Sequence, residues 1–294
     1  MRSLERNLPS GETTQVGIFI RSLCMSFAII LGGIALLSFI FLFKSIGDFP
    51  SDFFTLTKRL IEDDRLGRAF LNTSVITIVS IALQLLLGLL MTLCIGSLSK
   101  AAKVFLILPA SLPAWTAALS FYLLCSPGIG LISLIGVGDQ HLSFLFIDQI
   151  GIWGTIIAID SWQWLPLTFL VLSSQLDNLD PAHVAIAQLE GASRTRILFS
   201  VLLPHLKNTF LALIIIRGFD LIRIFDIPAI LWGASGANPK AETITMYLYR
   251  LMFQDGNSSY AAFISFVLCV PLGLALTLCR KTIKDIFLGK LYNV

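Results

Sequence analysis

The run "CMSFAIILGGIALLSFIFLF", residues 24–43, holds no charged residue. It has about the ~20 residues that a helix needs to cross the hydrocarbon of a bilayer. Four further stretches approach or exceed that length with few or no charges, and a sixth carries charges inside it. The expected fold is all-α: a polytopic membrane helical bundle with six transmembrane helices. Composition agrees, with 56% hydrophobic and 13% charged residues and a mean hydropathy of +0.84, against roughly 25% charged residues in soluble domains.

The expected spans are about Met25 to Phe43, Phe70 to Leu98, Val104 to Cys125, Ile150 to Leu172, Asn208 to Ile230, and Tyr260 to Cys279. Pro109 and Pro113 predict a kinked or interrupted third span, which ends at Pro127-Gly128. Arg2 and Arg6 precede the first apolar run as in a secretory signal, but no A-x-A exit site follows, so this run is expected to be retained. No linker or repeat divides the chain. It is expected to hold a cytoplasmic segment over 1–20 and one membrane domain over 21–294.

The net charge of +3 comes from basic residues that flank spans instead of forming one patch, which argues against a nucleic-acid partner. With the N-terminus cytoplasmic, twelve basic residues lie on the inner side and seven on the outer. The positive-inside rule then puts both termini in the cytoplasm. The five cysteines lie within or at the ends of apolar spans, with no CxxC and no zinc-like spacing, and are expected to serve as small hydrophobes.

On that orientation "VAIAQLEGASRTRILFSVLLP", residues 184–204, is cytoplasmic. Asp180-Pro181 is a helix start and Gly191 a stop. Between them the residues are small or apolar on every face, with no Lys or Arg from Ala182 to Glu190. An interfacial helix would show a basic face, so the pattern points to docking on a protein. The geometry expected is two short helices hinged at a glycine.

These residues resemble the cytoplasmic E-A-A-x3-G-x9-I-x-L-P signature of binding-protein-dependent ABC importer permeases. The positions are Ala185, Ile186, Ala187, then Gly191, then Val201, Leu202, Leu203 and Pro204. The stretches "DSWQWLP", "LEGAS", "IRGFDLIRIFDI" and "AETITMYLYRLMF" look like the carbohydrate-importing branch. The resemblance implies a coupling helix within about 180–204, with Ala185, Ile186, Ala187, Leu189, Glu190, Gly191, Ala192, Ser193, Leu203 and Pro204 seated on an ATPase. It implies as partners a second permease subunit, an ABC ATPase dimer, an extracytoplasmic solute-binding protein, a carbohydrate and membrane lipid. It also implies a place in the bacterial inner membrane. The usual Glu of the signature is Ala185 here, which removes one polar anchor.

Arg217, Asp220, Arg223 and Asp226 recur every three residues inside the expected fifth span. An ionisable group at that depth costs at least ~2.5 kcal/mol unless it is paired or wetted. The stripe must face protein or water, either as a scaffold or as a ligand site. Asp160, Gln163 and Trp164 add a carboxylate, an amide and an aromatic face in span four, the combination that binds sugars. In the resembled family the cavity is built from spans four and five, so Asp160, Gln163, Trp164, Arg217 and Asp220 are the substrate candidates. No P-loop, G-x-S-x-G or HExxH is present, so the chain is expected to need no cofactor and, if ATP is used, to leave its hydrolysis to another chain. The rivals are a secondary transporter or channel working without an ATPase, and an intramembrane enzyme.

Overall fold

The computed structural model describes residues 51–95, 105–126, 130–134, 139–234 and 238–269, and all regular structure among them is helical. The first expected span and the part of the sixth beyond Cys269 lie outside these residues, as do both termini.

Helix α1 (Ser51–Glu62) turns into the long α2 (Asp64–Ile95) at Asp63. The Asp63 carboxylate accepts from the amides of Arg65 and Leu66 at 3.1 and 3.0 Å and so caps α2. The buried face of α2 reads Ala69, Asn72, Thr73, Ile76, Ser80, Gln84, Gly88, Thr92, at helical spacing. Its exposed face carries Leu71, Ile78, Leu86 and Leu93. The small and polar residues point inward and the large apolar ones outward, which is the pattern expected when the surroundings are lipid tails.

The partner of that inward face is α5 (Gln149–Asp177), which runs parallel to it. Contacts progress in register from Trp153 on Asn72, through Asp160 on Gln84, to Thr168 at Gly88. A Cβ at Gly88 would lie 2.7 Å from the Thr168 methyl, so the missing side chain is what lets the backbones approach. Before α5, helix α4 (Asp139–Ile147) folds back on it, and the Thr155 hydroxyl donates to the Leu145 carbonyl at 3.1 Å.

Residues 105–126 are interrupted as their prolines predict. A single turn, Leu108–Ser111, ends at Leu112-Pro113 and α3 (Ala114–Cys125) begins anew. Beyond α5, α6 (Pro181–Leu189) is followed by one turn at Arg194–Ile197 and a π-turn at Leu198–Leu202 that runs into α7 (Leu203–Ile222). Pro204 has no N–H to offer, and the wider turn just before it is where the ladder adjusts.

The expected fifth span needs correction. It is not one helix from Asn208 to Ile230: α7 begins at Leu203 and stops at Ile222, and a separate α8 (Asp226–Trp232) follows. The Arg223 and Ile224 amides close short turns on the Asp220 and Leu221 carbonyls, and the chain then bends. The connections also hold more helix than expected, with α9 (Ile244–Phe253) preceding α10 (Ser258–Cys269). Among the described residues, α2 and α5 are long and apolar enough to cross a bilayer. Of the cysteines, Cys125 is buried while Cys94 and Cys269 lie exposed on helix surfaces, so burial is not common to all.

At the end of the bundle where α2 and α5 begin, a polar clasp joins segments far apart in sequence. Glu242, 1% exposed, accepts from Arg65 Nε at 2.6 Å and Arg250 Nε at 3.1 Å. Asp63 accepts from the hydroxyls of Tyr247 and Tyr260. Burial pushes the Asp63 carboxyl up, but the Tyr247 hydroxyl, the Leu66 amide, the Tyr260 hydroxyl and the Arg65 amide outweigh it and hold it below the usual carboxylate range.

The α4–α5 corner gives a sharp test of packing. A Cβ on Gly151 would sit 2.0 Å from the Phe144 carbonyl oxygen, whereas at Gly154, one turn on, nothing lies within 4 Å. Gly151→Ala is expected to lower the thermal midpoint in micelles, by the equivalent of about 1–3 kcal/mol of overpacking. Gly154→Ala should leave it unchanged or raise it slightly.

Candidate functional site

Arg217 arrives on the buried face of α7, 3% exposed, midway between Leu213 and Leu221. Its Nη2 donates to both oxygens of Asp160 on α5, at 2.7 and 2.8 Å. Its Nε donates to Gln84 Oε1 on α2 at 3.0 Å, and Gln84 Nε2 in turn donates to Asp160 at 2.7 Å. Nη1 pairs with Asp220 one turn along α7. The guanidinium carbon lies 4.5 Å from the centre of the Trp164 ring. Three helices thus meet on one planar cation whose donors and face are used together, a role a lysine could not fill.

The cluster borders a cavity of about 290 Å³. Asp160, Gln163, Trp164 and Asp220 line it, together with Arg223 and Asp226, and Arg217 lies behind Asp160 and Asp220. Four of the five candidate residues therefore share one cavity, and the fifth ties two of them together. The break at Leu112-Pro113 supplies the opposite wall, and the Leu112 carbonyl accepts from Gln163 Nε2. Gln163 Oε1 is buried without a partner among the described residues, an acceptor left for whatever enters. Asp220 has half of its side chain exposed, so it keeps acceptor capacity toward the space.

The four-charge stripe does not act as one ladder. Arg217 and Asp220 pair at i,i+3 inside α7, while Arg223 caps that helix and Asp226 opens α8. Gln84 escaped the sequence reading. The signal was available, a single amide within the apolar run "SIALQLLLGLL".

At the opposite end from the polar clasp lies the hinged segment. The Asp180 side chain accepts from the Ala182 amide at 2.9 Å and Pro181 opens α6, as expected for a capped start. Gly191 sits at φ +76°, where glycine is favoured, and Ser193 caps the next turn by accepting from Arg196 N. Ala187 and Ile197 turn inward. Ala185, Ile186, Leu189, Glu190 and Ser193 are exposed, Leu189 at 89%, while Ala192 and Leu203 are half-buried and Pro204 is exposed.

Comparison with known proteins gives consistent matches. The profile of the family described as "Binding-protein-dependent transport system inner membrane component" matches residues 84–285. The trehalose transport system permease protein SugA of Mycobacterium tuberculosis (strain ATCC 25618 / H37Rv) is 27% identical over 197 residues, which take in 66% of this chain and 62% of SugA. The trehalose/maltose transport system permease protein MalF of Thermococcus litoralis is 26% identical over 217 residues, 69% of this chain and 72% of MalF. In fold, the chain superposes on a bacterial alginate ABC transporter solved in complex with an alginate pentasaccharide-bound periplasmic protein. The TM-score is 0.66 at 21% identity, covering 92% of this chain and 96% of that one.

The two carboxylates on Arg217 differ in burial, which separates their expected effects. Asp160→Asn removes the charge facing Nη2 in a fully buried setting and should cost about 3–5 kcal/mol of stability. It is expected to reduce the folded protein recovered from membranes severely. Asp220→Asn leaves the Asp160 pairing in place and should cost well under half as much in the same thermal-midpoint measurement.

Proposed function

The chain belongs to the family of binding-protein-dependent transport inner membrane components, and on that premise we propose that it is the permease subunit of an ATP-driven importer for a carbohydrate: a sugar, oligosaccharide or polyol. The observation that carries the reading is the α6 segment. Its Ile186 and Leu189 are 56% and 89% exposed beside a glycine at positive φ. An apolar helix end of this kind is covered by no described part of its own chain, which supports a seat on a partner.

In this reading α6 and the turn after Gly191 form the coupling helix, with Ala185, Ile186, Ala187, Leu189, Glu190, Gly191, Ala192, Ser193, Leu203 and Pro204 at or beside an ABC ATPase. The ATPase dimer closes on ATP and pushes the segment, and α5 and α7 carry the motion to the central cavity. Because α7 carries Arg217 and Asp220 while α5 holds Arg217 through Asp160, a shift of one helix against the other reshapes the cavity wall. Six spans, residues 21–294 as one membrane unit and both termini in the cytoplasm complete the topology. A second permease subunit stands beside this chain, and an extracytoplasmic solute-binding protein delivers the cargo. Hydrolysis belongs to the ATPase chains.

Asp160, Gln163, Trp164 and Asp220 are proposed to contact the carbohydrate, with Arg217 holding them. Planar polar groups beside an indole face suit a ring that offers hydroxyls on its edge and C–H bonds on its face. The relatives named for trehalose and trehalose/maltose transport support this class of cargo.

Assembling the chain with its partners and measuring ATPase activity with a panel of solute-loaded receptors tests the reading. Stimulation by a carbohydrate-loaded receptor is expected, and transport that persists without any ATPase would overturn it. In such an assembly Gly191→Leu should abolish uptake at normal membrane abundance. Its branched side chain resists φ +76° by about 1–2 kcal/mol, although nothing crowds the position within 4 Å. Gly191→Asn, which tolerates that backbone, should retain more activity. Gln163→Ala and Trp164→Ala are expected to change the relative uptake of different sugars while solute-independent ATPase survives.

A further inference from the structure

A second cavity, about 460 Å³, opens at the end of the bundle where α2 and α5 begin, far from the α6 segment. Arg68, Leu71, Asn72, Gln149, Trp153 and Lys240 line it, and none of the described lining residues is a carboxylate. Its wall is built, not incidental. Asn72, 4% exposed, accepts from Trp153 Nε1 at 3.1 Å and Gln149 Nε2 at 3.2 Å, and donates to the carbonyls of Lys240 and Glu242 at 3.1 and 2.9 Å. Lys240 Nζ is held over the cavity rim by the Ile147 carbonyl at 3.1 Å. Among the described residues neither Arg68 nor Lys240 pairs with a carboxylate, whereas Arg65, Arg217 and Arg250 all do. Two cations beside one cavity repel each other, and an anion seated between them removes that repulsion.

Depth and surroundings identify the anion. Arg68 and Trp153 each lie four residues into their helices, ~6 Å at 1.5 Å per residue. That is the level at which indole rings and basic side chains meet lipid headgroups. Below Arg68 the same face of α2 presents Leu71, Ile78 and Leu86, 52%, 67% and 59% exposed. A cation-lined cavity above an apolar stripe fits a molecule with a phosphate at one end and acyl chains at the other. We propose that this cavity binds the phosphate of an anionic phospholipid in the leaflet opposite the coupling segment, with Arg68 and Lys240 on the phosphate, Trp153 at the glycerol level and an acyl chain along Leu71 and Ile78. The site depends on neither the importer reading nor its cargo, and it fixes the loop through Lys240 against α2 and α5.

Native mass spectrometry of the full-length chain in non-ionic detergent tests this with three probes: phosphatidylglycerol, phosphatidylcholine and glycerol 3-phosphate. Phosphatidylglycerol is expected to bind more tightly than the zwitterionic lipid. Arg68→Gln and Lys240→Gln should each weaken it about fivefold and the doublet about 30-fold, as expected for ~1 kcal/mol per basic residue at a charged surface. The charge-keeping pair Arg68→Lys with Lys240→Arg should retain most of the binding, and all variants should share the lipid-free thermal midpoint. Phosphatidylglycerol binding unchanged in the doublet overturns the site. Glycerol 3-phosphate binding as tightly as the lipid assigns the phosphate to a soluble source and overturns the lipid.

Discussion

The pairing of Arg217 with Asp160 is the contact on which the membrane interior of this protein depends. A guanidinium 3% exposed among apolar helices is tolerated only when its charge and its donors are met. Here α5 supplies the carboxylate, α2 the amide that bridges both partners, and α7 the cation with a second carboxylate at i+3. Because lipid offers no hydrophobic drive between helices, such a polar node and close small-residue packing have to hold the three together. Gly88, one turn from Gln84, against Thr168, two turns from Asp160, is the packing half of the same joint.

The two ends of the bundle are finished in opposite ways. At one end Glu242 gathers Arg65 and Arg250, Asp63 gathers Tyr247 and Tyr260, and Asn72 sews the loop around Lys240 to α2 and α5. Glu242, Asp63 and Asn72 are satisfied there within the chain, which rigidifies that end. At the other, α6 is held by an aspartate cap, a positive-φ glycine and few inward contacts, with apolar side chains left outside. A segment so loosely tied to its own chain is suited to move with something else, and the Arg217 node lies between it and the clasped end.

Much of this was legible in the residues because lipid makes strict demands. Uncharged runs of about 20 residues dictate helices, Asp180-Pro181 and Gly191 mark a short helix by local backbone chemistry, and Pro109 and Pro113 announce a break. Asp160, Gln163, Trp164, Arg217 and Asp220 stood out since polar side chains in such runs need a reason. Gln84 has the same property with a weaker signal, because one neutral amide among leucines demands less compensation than a buried arginine. The end of α7 was misplaced for a different reason: Arg223 and Asp226 keep the helical spacing, and the apolar residues around them continue past the bend.

What the sequence determined by itself is the set of local constraints: an all-helical membrane chain, a hinged helix at Gly191, and a handful of polar groups that could not face lipid. Each follows from a residue and its immediate neighbours, because backbone satisfaction in hydrocarbon, glycine's access to positive φ and the missing N–H of proline act within a turn or two. Only the tertiary structure decided which of those groups meet. Asp160 stands 57 positions from Arg217, and Gln84 stands 133 from it. No spacing rule reaches that far; the meeting depends on α2 and α5 lying parallel at the close approach that Gly88 permits, which brings two partners from different helices onto one arginine.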